Sequence, residues 1–505
     1  MHAKGSGLSG VESPAGTLLA DRMDMMDGML SPPQGLAALE AQVRRDLDLT
    51  AHPRTDWMVP RLYRGKPALD VLIVGAGQSG LAIGFTLKRE RVRNILLIDR
   101  AVEGKEGIWD TFARMPTLRS PKDQTGPDQG VPSLTFQAWF EAQHGAKAFA
   151  DLHLIATKDW HAYLQWVRRM ADLPIRNEVA ATSIAPGKLD DGGSCLLVTL
   201  STGEVLAARK LVLATGQDGT GEWWMPDFVR ALPKDRRASA ADDIDFAALR
   251  GKTVAVLGVG ASAMDNAATA LEHGAEVHLF CRRAAPGTVQ QYRWLTFAGF
   301  LRHMGDMPDP WRWRIMGHIM RAREGFPADT YKRVLAFPDF KMHVSRAWTD
   351  ARMEDGRVRI ETARGPFTAD FLICGTGVRQ NIHLKPELAA FADQIALWRD
   401  RYTPPPDEED ELLALHPYLG ADFAFLEKTP GAAPWLADIH LFGIGTTLSF
   451  GPSGSSINAM NIAIPKLVAG LTRGLFAGDI ERHWESLKAY NVQQVELDWS
   501  RISKD

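Results

Sequence analysis

Two glycine-rich turns constrain this chain more than any other feature. The first reads Val71-Leu-Ile-Val-Gly75-Ala-Gly77-Gln-Ser-Gly80, with Asp99 further on. The second reads Val254-Ala-Val-Leu-Gly258-Val-Gly260-Ala-Ser262-Ala263, with Arg282 at the same offset from Gly258 as Asp99 is from Gly75. Each predicts a buried strand, a tight turn and a helix whose N-terminus faces a pyrophosphate. The glycines permit the turn and leave no Cβ between backbone and phosphate. A carboxylate after the next strand accepts hydrogen bonds from ribose hydroxyls, whereas an arginine there suits a 2′-phosphate. The pattern predicts an unphosphorylated dinucleotide at the first turn and a phosphorylated one at the second, which means FAD beside NADPH.

With 45 glycines among 505 residues, a bare G-x-G-x-x-G carries little weight, and the flanks supply the specificity. Asn94-Ile-Leu-Leu-Ile-Asp99 and Glu276-Val-His-Leu-Phe-Cys-Arg-Arg283 are short apolar runs of the kind buried parallel strands use. Leu81 to Arg89 and Met264 to His273 read as the intervening helices, with Gly274 as a C-cap. Arg100 and Arg283 extend the two charge positions, and Ser262 lies inside the second turn.

The rest of the composition is that of a globular chain of more than one domain, 45% apolar and 24% charged. A net charge of −3 gives no electrostatic case for nucleic acid or a lipid surface. Cys195, Cys281 and Cys374 form no C-x-x-C pair, so neither a dithiol centre nor a metal site is expected, and a cytoplasmic setting suits them. The longest apolar stretch, Val71 to Leu87, is already accounted for by the first turn, so no membrane span is expected. Met1 to Pro33 reads as mobile, Gly35 to Leu49 as an amphipathic helix, and His52 to Pro67 as an extended segment.

Lys210-Leu-Val-Leu-Ala-Thr215-Gly216 and Asp370-Phe-Leu-Ile-Cys-Gly-Thr376-Gly377 are strands ending in Thr-Gly, each after a predicted meander. Ile439-His-Leu-Phe-Gly443, a Gly/Ser-rich loop and a helix from Ile457 to Leu471 form a third strand-loop-helix unit. The expected fold class is α/β, with two Rossmann-like dinucleotide domains, the second nested in the first. Residues 1–67 form an extension; 68–230 and 366–475 form the FAD domain; 231–365 form the NADPH domain, with a helical insertion at about 286–340; and 476–505 form a C-terminal helix.

Taken together, these residues resemble the class B flavoprotein monooxygenases, which include flavin-containing and Baeyer–Villiger monooxygenases and the amine N-hydroxylases. The resemblance spans roughly 68–475. It rests on Gly75, Gly77, Gly80 and Asp99; Gly107-Ile-Trp109; Thr215 and Gly216; Gly258, Gly260, Ala263, Arg282 and Arg283; and Thr376 and Gly377. It implies that Trp109 packs near the flavin and that NADPH reduces FAD. It further implies that a C4a-(hydro)peroxyflavin then oxygenates a small substrate with dioxygen. The protein's share would be position and dryness. Gly443 and its loop would face the flavin ring.

Two departures weaken a ketone substrate. Ser239 stands where the family carries a histidine, and the Baeyer–Villiger arginine–aspartate pair is not in register. Instead, Ser120-Pro-Lys122-Asp123 is similar to a stretch of the ornithine and lysine N-hydroxylases. That match implies that Lys122 anchors a carboxylate with Asp123 beside it, and Arg119 is a second anchor by its planar fork. N-oxygenation of an amine or amino acid is therefore the expected reaction. Sulfide or Baeyer–Villiger oxygenation, an NADPH oxidase, a non-enzymatic nucleotide binder and a homodimer all stay open.

Overall fold

A computed structural model describes residues 34–322 and 324–503; the expectation for Met1 to Pro33 lies outside these residues. Helix α1 (Leu36–Leu49) lays Leu36, Leu39, Val43 and Leu47 on the first core, as its periodicity predicts. The extended segment after it is pinned where Trp57 Nε1 donates to Glu90 O at 2.8 Å.

The first sheet opens with β1 (Leu69–Val74), α2 (Gln78–Arg89) and β2 (Ile95–Ile98). It continues with β3 (Ile175–Arg176), β4 (Ala181–Lys188), β5 (Ser194–Leu200) and the long β6 (Val205–Gly216). The strand order is β3-β2-β1-β6-β5-β4. β1, β2, β3 and β6 run parallel, while β4 and β5 form the antiparallel meander. Both faces of the parallel part are covered, which explains its nearly unbroken apolar sequence. Asp70 is the exception inside β1. It pairs with Arg209 at 3.2 Å, Arg209 meets Asp479 at 2.7 Å, and Asp479 meets Arg61 at 2.6 Å.

The chain then crosses over through β7 (Gly221–Trp223) into a five-stranded parallel sheet. Its strands are β8 (Arg237–Ser239), β9 (Thr253–Leu257) with α3 (Ala261–Glu272), and β10 (Glu276–Phe280). Helices α4 (Ala298–His303), α5 (Asp309–Ala322) and α6 (Ala328–Leu335) form the insertion before β11 (Phe340–His343). An antiparallel meander of Trp348–Glu354, Arg357–Thr362 and Phe367–Ala369 leads into β12 (Phe371–Cys374). The order is β8-β12-β9-β10-β11.

This corrects the boundary expected at 366: β12 sits in the middle of the second sheet, hydrogen-bonded to β8 and β9. A meander returns its chain to the sheet it left, so the exit comes after Gly377, through β13 (Val378–Gln380), which pairs antiparallel with β7. β14 (Ile439–Gly443) then rejoins the first sheet, parallel to the C-terminal half of β6.

The insertion does not pack only on itself. Trp313, Met316 and Leu295 share a cluster with Trp398, Leu413 and Leu448, and Trp313 Nε1 donates to Glu408 O at 2.9 Å. Helix α7 (Met460–Gly478) closes the first core. Helix α8 (Ile480–Ala489) covers only part of the C-terminal helix expected at 476–505, and helical backbone bonding stops at Tyr490. No helix among the described residues is long and apolar enough to cross a membrane.

Candidate active site

Both glycine turns adopt the geometry their sequences require, through different close contacts. Gly75 has φ +107°, and a Cβ there would come within 2.3 Å of Ala214 O; at Gly80 it would come within 1.9 Å of Gly75 O. In the second turn Gly258 has φ +117°, and a Cβ would sit 2.4 Å from Gly375 O. The third glycine is replaced here by Ala263, and the strand opposite yields instead, since a Cβ on Gly375 would meet the Ala263 methyl at 2.4 Å. Gly77 and Gly260 are the residues before α2 and α3, and neither helix start is capped by a side chain. The first N–H groups of both helices are therefore available to an anion. A Cβ on Gly260 would meet nothing within 4 Å, and the same holds at Gly216 and Gly377. These open rims at the C-terminal edges of the two sheets fit dinucleotides.

The charges after the turns differ in register. Gly75 N–H donates to Ile98 O at 2.8 Å, one residue before Asp99, whereas Gly258 N–H donates to Phe280 O at 3.0 Å, two residues before Arg282. The buried Cys281 thus takes the place corresponding to Asp99, and the exposed Arg282 corresponds to Arg100. Asp99 accepts from Ala76 N–H and Ala101 N–H, both at 2.8 Å, which ties the carboxylate to the glycine turn and leaves further lone pairs. Arg283 differs from the expectation: its guanidinium donates to Ala322 O and Arg321 O, both at 3.0 Å, and so holds the end of α5.

Gly107-Ile-Trp109 lies against the first turn, since a Cβ on Gly77 would be 3.4 Å from Gly107 Cα. Trp109 Nε1 donates to Gln78 Oε1 at 3.0 Å, and Trp160 Nε1 reaches the same oxygen at 3.3 Å. Gln78 was not anticipated, though a lone amide inside a turn of small residues is a readable signal. The late loop joins the same rim: a Cβ on Gly443 would lie 2.7 Å from Gly216 O, and one on Gly445 would lie 2.3 Å from Thr220 Oγ1. Thr215 Oγ1 is buried without a partner among the described residues, while Thr376 Oγ1 donates to Trp224 O.

The segment after Trp109 bridges the two sheets. Arg114 donates to Ala240 O at 3.3 Å and to Asp242 O at 2.6 Å. Arg119 forms an ion pair with Asp265 of α3, which also accepts from Thr330 Oγ1 at 3.0 Å. Burial pushes the Asp265 carboxyl above its usual range, against the pull of Arg119 and Arg333.

Lys122 requires a correction: its ammonium donates to Phe149 O at 2.8 Å and Ala150 O at 2.6 Å, so it closes a helix end and does not stand free for a substrate carboxylate. Asp123 is exposed. Arg119 remains at the crevice, but it is paired with Asp265. Ser239 is buried at the end of β8, where its N–H donates to Asp242 Oδ2 at 2.7 Å and its hydroxyl accepts from Ala241 N–H at 3.3 Å. It shapes a turn where the family places a histidine. Gln124, whose buried amide has no partner among the described residues, gave no signal in the sequence.

The profile of the pyridine nucleotide-disulphide oxidoreductase family matches residues 72–295. All three cysteines here are buried and free. The chain is 39% identical over 466 residues to a FAD-dependent urate hydroxylase from Xanthomonas campestris pv. campestris, covering 92% of this chain and 98% of the relative. Among solved structures, L-lysine 6-monooxygenase from Pseudomonas syringae superposes with a TM-score of 0.63 at 17% identity, covering 80% of this chain and 99% of that one. Ornithine hydroxylase from Pseudomonas aeruginosa gives 0.62 at 16%, covering 81% and 100%. The chain belongs to the class B flavoprotein monooxygenases, FAD-dependent oxidoreductases built on two dinucleotide folds.

Proposed function

We propose that this enzyme uses FAD and NADPH to hydroxylate a small, planar nitrogen heterocycle of the urate type with dioxygen. The carrying observation is the end-to-end likeness to a protein named as a urate hydroxylase. Bound FAD would supply hydride acceptance and oxygen activation. The chain's residues would do the rest. The α2 start and Asp99 would hold the FAD pyrophosphate and ribose, and the α3 start and Arg282 would hold the NADPH pyrophosphate and 2′-phosphate. An exposed arginine, with a cysteine in the carboxylate's register, favours a phosphorylated ribose, because no carboxylate is left there to repel it. Trp109 and Gln78 would fix the wall beside the first turn. The bridge through Arg114 and Arg119 would close the crevice against water.

N-oxygenation of an amine or amino acid is the second reading, favoured by the Ser120-Pro-Lys122-Asp123 match. The engagement of Lys122 with two carbonyls counts against its anchoring role.

The test is to follow NADPH oxidation by the FAD-loaded enzyme with urate, ornithine, a thioether and a cyclic ketone. Hydrogen peroxide and the mass of each product are measured in parallel. Coupled consumption with a one-oxygen gain on urate supports the proposal. Coupling only to ornithine favours the second reading, and coupling to thioether or ketone points to the other oxygenations. Peroxide release with every compound marks an oxidase.

A further inference from the structure

Ten of the 25 large apolar side chains left exposed among the described residues fall between Phe476 and Ile502. Several of them form one stripe on α8. Ile480, Trp484 and Leu487, at positions i, i+4 and i+7, share a helix face and are 50%, 56% and 64% exposed. The exposed Phe476 ring stacks on His483 with centroids 4.8 Å apart and extends the stripe past the start of the helix. Arg482, on the opposite side of α8, is ion-paired with Asp191 at 2.7 Å. The helix therefore turns a charged side to the body of the protein and its apolar stripe away, and none of its residues is buried. An amphipathic helix serving its own core would be oriented the other way round.

The arm that follows, residues 490–502, is also two-faced, but with a different period. Val495, Leu497 and Trp499 alternate with Glu496 and Asp498, the pattern of a strand that is apolar on one face and acidic on the other. Every residue of the arm is exposed, and among the described residues the hydrogen bonds of 491–502 stay within the arm. The arm does not cover the stripe of its own α8, because Trp484 and Leu487 stay exposed with the arm present.

We propose that the α8 stripe is the docking site for the arm of a second copy of this chain, so that two copies exchange arms about a two-fold axis. Area and charge both favour this occupant. The ten exposed side chains present roughly 1,000 Å² of surface, more than the patch a monomer ordinarily exposes and about what each partner of a stable dimer buries. Fully extended, the arm reaches roughly 45 Å, enough to cross to a neighbouring copy and run the length of α8, about 15 Å. Laid antiparallel on α8, it sets Glu496 and Asp498 near Lys488 and Arg501 near Glu481, each an attraction. A lipid surface fits less well. In α8 and the arm, Glu481, Glu485, Glu496 and Asp498 stand against Arg482, Lys488 and Arg501, which leaves no surplus of cations for anionic headgroups. The 19 residues of α7 also separate this interface from the late loop at the first rim by about 28 Å, so arm exchange is compatible with an open crevice.

The test is sedimentation velocity of the full FAD-loaded chain over a wide concentration range, beside Trp484→Glu, a chain ending at Tyr490, and an equal mixture of those two. FAD content and thermal midpoint are measured on the same samples. The wild type should be a dimer. Each variant alone should weaken dimerisation by about 100-fold or more, the loss expected for a buried aromatic anchor, with FAD content unchanged. The mixture should recover dimers, because the arm of the Trp484→Glu chain meets the intact stripe of the shortened one. Leu497→Glu changes only the arm, so it keeps the test valid if Trp484→Glu loses FAD, and it should match the shortened chain. A wild type that is monomeric at every concentration, or a dimer that both variants retain, overturns the proposal. A mixture that stays monomeric overturns arm exchange. A monomeric wild type that sediments with phosphatidylglycerol vesicles assigns the stripe to a lipid surface instead.

Discussion

The two dinucleotide units meet their tightest approach in different places. In the first, it lies within the turn: a Cβ on Gly80 would sit 1.9 Å from Gly75 O. In the second, the strand yields: Gly375 is small, and Ala263 stands on the helix. Strand, turn and helix must approach closely enough to aim helix N–H groups at a phosphate, and the tightest point of each approach leaves no room for a further methyl group. A missing third glycine therefore says little about whether a unit binds a nucleotide. In the second unit Gly375, on the facing strand and more than a hundred positions away, makes the room that Ala263 takes.

The sharpest way to break this comparison is to exchange the solutions. Gly80→Ala places a Cβ 1.9 Å from Gly75 O, with no flexible side chain to move aside. It should cost more than the roughly 1–3 kcal/mol of ordinary overpacking and empty the enzyme of most of its FAD, read from the flavin absorbance per chain. The reciprocal Ala263→Gly should cost about 1 kcal/mol, the helix propensity difference, and leave FAD content unchanged. Equal behaviour of the two variants would remove the asymmetry.

Next in size is the charge difference. Arg282→Ala should raise KM for NADPH by about 10–100-fold while changing that for NADH by much less, because only NADPH carries the 2′-phosphate that the guanidinium would hold. Arg283→Ala should loosen the end of α5 and move the NADPH preference little; a preference loss as large as that of Arg282→Ala would restore Arg283 to the phosphate. A smaller effect is expected from Lys122→Met, which removes two charge-assisted bonds at a helix end and should lower the thermal midpoint without a roughly tenfold change in substrate KM.

The smallest effect tests the buried carboxyl that the first sheet contains. Burial pushes Asp70 up to about 6 from 3.8, outweighing Arg209. A raised folded-state value means the folded chain holds this proton more tightly than the unfolded one. Its contribution to stability is complete below about 4 and is lost as pH rises through about 6. Asp70→Asn, neutral throughout, should therefore gain on the wild type in thermal midpoint as pH rises from about 4 to about 6. A constant difference would show that Asp70 stays ionised over that range.

Much of the fold was legible because its determinants are local. Apolar runs, positive-φ glycines and helical periodicity marked β1, α2, β9, α3 and α1 from adjacent residues alone. The errors arose where the determinant was distant. β12 was placed with the wrong sheet because an apolar strand ending in Thr-Gly reads alike in either one, and only its pairing with β8 and β9 assigns it. The matched offset of Asp99 and Arg282 concealed a one-residue slip of register that the Gly75 and Gly258 hydrogen bonds reveal. Lys122 looked available because its carbonyl partners at Phe149 and Ala150 carry no side-chain signature.

The strands that carry the chain out of the first sheet and back into it are hydrogen-bonded to each other. Val378 pairs with Trp223 and Gln380 with Gly221; Asn381 N–H donates to Thr220 O at 2.9 Å; and the Arg379 guanidinium lies 3.5 Å over the Trp224 ring. A Cβ on Gly221 would sit 2.0 Å from Arg379 O, so the ribbon admits no slack. Two separate tethers would let the halves of the enzyme shift and tilt independently, whereas a two-stranded ribbon resists both and yields mainly in twist. The passage between the halves is thereby a paired ribbon and not two independent linkers, and any shift of one half against the other must strain it together with the Arg114 and Arg119 bridge.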